Sequence, residues 1–104
     1  MISGASNGGI ATYTVLDALP GRFSGFITIP GSLGKRNVPT EWRTYKALIV
    51  YMEKDHGWIS SVKEDYNRLK TVIKDIAILE IKGHGHILPK SYNIESVYQT
   101  YLSL

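Results

Sequence analysis

The chain contains no cysteine, which removes disulfides, thiolate zinc sites and a cysteine nucleophile at once. It has no long apolar run either. The longest, Ala47 to Met52, falls far short of the ~20 residues that a membrane-spanning helix needs. A basic stripe is also missing: Lys35-Arg36 and Arg68, Lys70, Lys74 are separated by acidic residues and carry no interleaved aromatics. A net charge of +3 spread in this way is no footprint for nucleic acid. No Gly-x-Gly-x-x-Gly fingerprint and no glycine loop closed by Lys-Ser/Thr is present, so nucleotide cradles are poorly supported. Met1-Ile2-Ser3-Gly4 lacks the basic and apolar regions of a signal peptide. These absences lead to the expectation of a soluble, cytoplasmic protein with neither a nucleic-acid nor a membrane partner.

What is present is an ordinary globular composition: 43% apolar and 20% charged residues over 104 positions, enough for one domain spanning residues 1–104. Three short apolar runs stand out: Phe23 to Ile29, Lys46 to Met52, and Ile76 to Ile81. Each is β-branched or aromatic and nearly continuous, the pattern of strands covered on both faces in a parallel sheet. Between and around them lie helical periodicities. Ile59, Val62, Tyr66, Leu69 and Ile73 recur at steps of three and four, with Ser61 and Glu64 spaced as a capping box. Ile94, Val97, Tyr98, Tyr101 and Leu102 form a second such face, and Gly9 to Leu19 a third helix stopped by Pro20-Gly21. At the same helical spacings, Tyr13, Tyr66, Tyr98 and Tyr101 read as packing residues.

Strands alternating with helices predict an α/β fold, a three-layer α-β-α sandwich around a short parallel sheet of about three strands. Residues 30–44 are an exception, a long irregular connection marked by Pro30, Gly31, Gly34 and Pro39. Connections of this length commonly cover or shape a site.

Gly4-Ala5-Ser6-Asn7-Gly8-Gly9 fits the Gly-x-Ser-x-Gly turn in which a serine is held on a tight strand-to-helix bend. Such a bend tolerates only small neighbours two positions to either side, and it places the hydroxyl at the positive end of a helix. Alone the motif is equally an ordinary glycine-rich turn. Two further features change its weight. The run 46–52 leads into Glu53-Lys54-Asp55-His56-Gly57, placing acids just past the carboxyl end of a strand. The run 76–81 leads into Lys82-Gly83-His84-Gly85-His86, placing histidines on a glycine-rich loop at the same edge. Serine, acid and histidine in that chain order are the arrangement of one serine-hydrolase class.

Alternatives remain within each pair. His84 competes with His86 as base, and Glu53 with Asp55 as acid. His84, His86 and Asp55 are also metal-ligand types, although two histidines on a glycine loop make a poor preformed site and leave the serine bend unexplained. His56, Trp58 and Trp42 are the candidate walls of a substrate pocket.

The sequence resembles the α/β-hydrolase superfamily, specifically its lid-poor esterases in the feruloyl-esterase and polyester-depolymerase neighbourhood. The resemblance rests on Gly4 to Gly9, on Ala47-Leu48-Ile49-Val50-Tyr51-Met52-Glu53-Lys54-Asp55 as the strand and acid turn, and on Gly83-His84-Gly85-His86 as the histidine turn. It covers nearly the whole chain but only the family's C-terminal half. Met52 stands where the acid turn often has glycine, and Ala5 where lipases often have histidine. The resemblance implies Ser6 as nucleophile, Asp55 as orienting acid, His86 as base and the Asn7 backbone N–H as oxyanion donor. It further implies a small ester-type substrate, with no cofactor and no metal. The family's first four strands, and the loop supplying its second oxyanion donor, have no counterpart here. A second copy or a partner chain completing the sheet is therefore expected. The rival expectation is a non-catalytic interaction module or an inactive truncated fragment.

Overall fold

A computed structural model describes all 104 residues. The elements run β1 (Ile2–Gly4), α1 (Asn7–Ala18), β2 (Gly25–Thr28), a 3-10 turn (Thr40–Thr44), β3 (Lys46–Met52), α2 (His56–Leu69), β4 (Asp75–Ile81) and α3 (Glu95–Leu102). The four strands form one sheet in the order β1-β2-β3-β4, every pair parallel. The sheet thus has one strand more than the three apolar runs predict. The extra one, β1, is three residues at a sheet edge and half-buried, so it carries no apolar run to read.

Strand order equal to chain order means each crossover adds its strand on the same side of the last. With one preferred handedness of crossover, all connections must then pass over the same face. They do. Tyr13 and Leu16 of α1, Leu33 and Trp42 of the 30–44 connection, and Val62 and Leu69 of α2 share one core with Phe26, Ala47, Ile49 and Tyr51. The opposite face packs Ile27, Leu48, Val50, Met52 and Ile81 under Val97 and Tyr101 of α3. This completes the three layers. β3 alternates between the two cores residue by residue, and Ala47 to Met52 are all buried, which is why its run shows no polar interruption.

Three sequence expectations are corrected. Helix α2 begins at His56 with Asp55 at its N-cap, five residues before the predicted capping box. Ser61 is interior to the helix and its hydroxyl donates to the Trp58 carbonyl at 3.1 Å. On α3 the buried positions are Val97 and Tyr101, whereas Ile94, Tyr98 and Leu102 face solvent, so Tyr98 is no core residue. The 30–44 connection packs into the core through Leu33 and Trp42, and none of its residues lines the cleft at Ser6. Trp42 is buried against Tyr13, Phe26 and Tyr45, because a large aromatic there fills the gap between the connection and α1. No helix is long and apolar enough to cross a membrane.

Two helix side chains and one from the connection itself hold that connection in place. The buried Asp65 carboxylate accepts the Leu33 N–H at 3.0 Å, and Arg68 donates to the Gly34 and Arg36 carbonyls. Arg36 in turn donates to the Tyr13 carbonyl at 3.3 Å and the Thr14 hydroxyl at 3.0 Å. Burial pushes the Asp65 carboxyl above its ordinary range, against the opposing pull of the Leu33 N–H and of Arg68. An acid shifted upward on folding binds its proton more tightly in the folded state. Its contribution to stability is full below the ordinary carboxylate value and is lost as pH rises through the raised one. Asp65→Asn keeps an acceptor for Leu33 and removes the buried charge. Urea unfolding should show the variant gaining on the parent protein as pH rises above the ordinary carboxylate value of about 4; a difference that does not move with pH would contradict this account.

Candidate active site

The serine bend is built by steric exclusion. Ser6 adopts φ 55°, ψ −118°, and no other non-glycine residue has a positive φ. Strain of this kind costs on the order of 1–3 kcal/mol and persists only where the surroundings impose it. Here the backbone imposes it from both sides. The Ser6 N–H donates to the Pro30 carbonyl at 2.8 Å, and its own carbonyl accepts the Ile10 N–H at 3.1 Å, opening α1. A Cβ at Gly4 would overlap the Gly8 carbonyl, and one at Gly9 would overlap the carbonyl of Pro30. Around Gly8 there is open space. The glycine that the bend requires on its helix side is therefore Gly9, three residues beyond the serine, and not Gly8 as the motif suggests.

Ser6 occupies the N-cap position of α1 without capping it by its side chain. Its Oγ lies instead 2.8 Å from His86 Nε2. On the far side of the ring, His86 Nδ1 lies 2.8 Å from Asp55 Oδ2. A carboxylate can only accept, so Nδ1 carries the proton and donates to Asp55. In the neutral ring Nε2 is then the acceptor for the Ser6 hydroxyl. Asp55 is 7% exposed and His86 34%, so the carboxylate is shielded while the imidazole faces the opening. Like Ser6, Asp55 sits at a helix N-cap whose N–H groups its side chain does not use.

The loops carrying acid and base are bonded to one another. Glu53 N–H donates to the Ile81 carbonyl and Lys54 N–H to the His84 carbonyl, each at 2.9 Å. The Glu53 carboxylate accepts the Gly83 N–H at 2.9 Å. Glu53 thus ties the two loops together and does not reach the imidazole pair. Trp58, from the first turn of α2, stacks on the His86 ring with centroids 5.3 Å apart and 22° between planes. His84 packs edge-on against Tyr92 and makes no bond to the serine. No group of three His, Asp or Glu side chains is placed to hold a metal ion.

The remaining predicted residues fall as follows. Asn7 is the first residue of α1, directly after Ser6, and its N–H has no acceptor within the chain. His56 is exposed on α2, and Trp42 lies in the core beneath the 30–44 connection; neither lines the opening at Ser6. Trp58 touches that site only through His86. What sequence reasoning missed is the actual opening, a cleft of about 470 Å³ lined by Ala5, Ser6, Ile29, Met52, His86 and the apolar Ile87, Leu88 and Ile94. Two signals for it lay in the sequence. Ile29 and Met52 end apolar runs on the strands beside the serine, and Ile87-Leu88 is an apolar pair directly after the histidine.

No protein-family model matches the chain, and no curated protein matches it by sequence. Solved structures share its fold, two of them as follows. TT1662 from Thermus thermophilus superposes with a TM-score of 0.72 at 17% identity, over 97% of this chain and 52% of that one. A protein of Thermoplasma acidophilum described as a predicted CIB-like hydrolase superposes with a TM-score of 0.69 at 22% identity, over 99% of this chain and 49% of that one. The fold is therefore α/β-hydrolase-like. The chain spans about half the length of the solved structures it matches.

The two glycines after the serine should respond in opposite ways. Gly9→Ala forces a methyl into backbone and should destabilise by about 1–3 kcal/mol or more. Gly8→Ala places its methyl in open space within the first turn of a helix and should be neutral or stabilise by up to about 1 kcal/mol. Thermal unfolding of both variants measures the contrast, and equal destabilisation would contradict the steric account of the bend.

Proposed function

We propose that the chain carries the nucleophile, base and acid of a serine hydrolase acting on carboxylic esters through an acyl-enzyme. The reading rests on one observation: Ser6 Oγ, the His86 imidazole and the Asp55 carboxylate form a continuous hydrogen-bonded line, 2.8 Å at each joint, from a serine held at φ 55°.

In the proposed cycle His86 Nε2 takes the Ser6 proton as the hydroxyl attacks the ester carbonyl carbon, while Asp55 stabilises the imidazolium. The unpaired N–H of Asn7, at the positive end of α1, donates to the oxygen as it gains charge. The imidazolium then returns the proton to the departing alcohol, leaving Ser6 acylated. Water, deprotonated by His86, attacks the acyl carbonyl and frees the serine. Removing one oxyanion donor typically costs 10²–10³ in turnover, so these 104 residues, with Asn7 the one donor assigned among them, would work well below the capacity of the chemistry.

A second reading, a non-catalytic interaction module, draws support from the same gap and from the open edge of β1, which pairs with β2 alone. Partner strands along β1, from a second copy or another chain, would extend the sheet and could bring a further N–H toward Asn7. The cysteine-free composition fits a cytoplasmic setting.

A fluorophosphonate probe should label the chain covalently, and Ser6→Ala should abolish the labelling. With p-nitrophenyl acetate, Ser6→Ala and His86→Ala should reduce kcat to background, and Asp55→Asn should reduce it by about 10⁴. Labelling that survives loss of the Ser6 hydroxyl would refute the reading. An unlabelled, inactive monomer by light scattering would favour the interaction module.

A further inference from the structure

We infer that the cleft at Ser6 is a subsite for an unbranched aliphatic chain of the ester, and that it discriminates against substrates charged at that end. The inference rests on the hydrolase reading and adds to it the chemistry of the substrate.

The cleft opens directly at the Ser6–His86 pair, and its walls come from four separate parts of the fold. Ile29 follows β2, Met52 ends β3, Ile87 and Leu88 follow the histidine, and Ile94 precedes α3. Apart from His86, no lining residue can ionise, and His86 has both ring nitrogens engaged by Ser6 and Asp55. A charged group entering here would lose hydration without finding a partner. An alkyl chain would lose nothing and would cover apolar surface that stands bare: Ile87 is 85% exposed and Ile94 51%. A volume of about 470 Å³ lies within the range of pockets that take small ligands. Apart from the His86 imidazole the walls are aliphatic and carry no aromatic ring, which suits a flexible chain better than a planar one.

The chain could belong to the acyl or to the alcohol side of the ester, and two substrate series separate them. One is p-nitrophenyl esters from acetate to octanoate; the other is acetate esters of ethanol to octanol. In one of them kcat/KM should rise roughly threefold to fourfold per methylene until the cleft is filled. A terminal carboxylate on the same chain should reverse the gain. Ile94→Asp, at a half-exposed position, should lower the octanoate-to-acetate ratio, or its alcohol-series equivalent, by tenfold or more. Independently of turnover, 1-octanol added to the Ser6→Ala protein should shift the methyl NMR signals of Ile29, Met52, Ile87, Leu88 and Ile94. If no ester is hydrolysed yet octanol shifts those methyls, the hydrolase reading fails and the subsite stands. If octanol leaves them unmoved, or if esters are hydrolysed but at a rate flat with chain length in both series, the subsite is overturned.

Discussion

The structure depends on the burial of β3 from both sides. Ala47, Ile49 and Tyr51 enter the core beneath α1 and α2, and Leu48, Val50 and Met52 the core beneath α3. Its parallel pairing with β4 runs the full length of the strand, from Lys46 opposite Asp75 to Met52 opposite Ile81. A slip of one residue would turn every side chain of β3 to the wrong core, so the register is fixed by packing. That fixed register brings the two strand ends level, which places the acid and histidine turns side by side. The imidazole meets the carboxylate as a consequence of hydrophobic burial three to eight residues before Asp55.

Much of this was legible in the sequence, and for identifiable reasons. The runs at 46–52 and 76–81 are long and doubly buried or nearly so, and both appear as strands within a residue of their predicted bounds. The bend at Ser6 and the two loops beyond the strands could be placed because small residues and loop position are sequence properties. Less visible were features that exist only through long-range contact. β1 is three residues long and gains its identity as a strand from pairing with Phe26 to Thr28. Trp42, on an irregular loop, reads from the sequence as a pocket wall, and only the contacts with Tyr13 and Phe26 show it to be a core residue. The motif singles out Gly8, and only the approach of Pro30 shows that Gly9 is the constrained glycine. The apolar walls of the cleft come from four elements that nothing in the sequence links.

The hydrogen bonds between the acid and histidine loops give the site an uneven construction. Glu53, Lys54, Gly83 and His84 join two of its three parts into one unit, with Trp58 stacked across the ring. The serine belongs to a different unit, braced against Pro30 and the start of α1. The single Ser6–His86 contact spans the seam. Relative movement of the two units would therefore be felt first as a change in that one distance, while Asp55 and His86 kept theirs.

The conformation of Ser6 has a consequence for durability. A left-handed backbone is easy for glycine and hard for serine, and the hydroxyl that normally repays a serine at a helix start is turned away from the helix here. Replacing it by glycine would relieve the torsion and leave the cap no worse. The chain would then melt at a higher temperature after losing the one atom on which the proposed chemistry turns, a local instance of fitness for reaction held against ruggedness of fold.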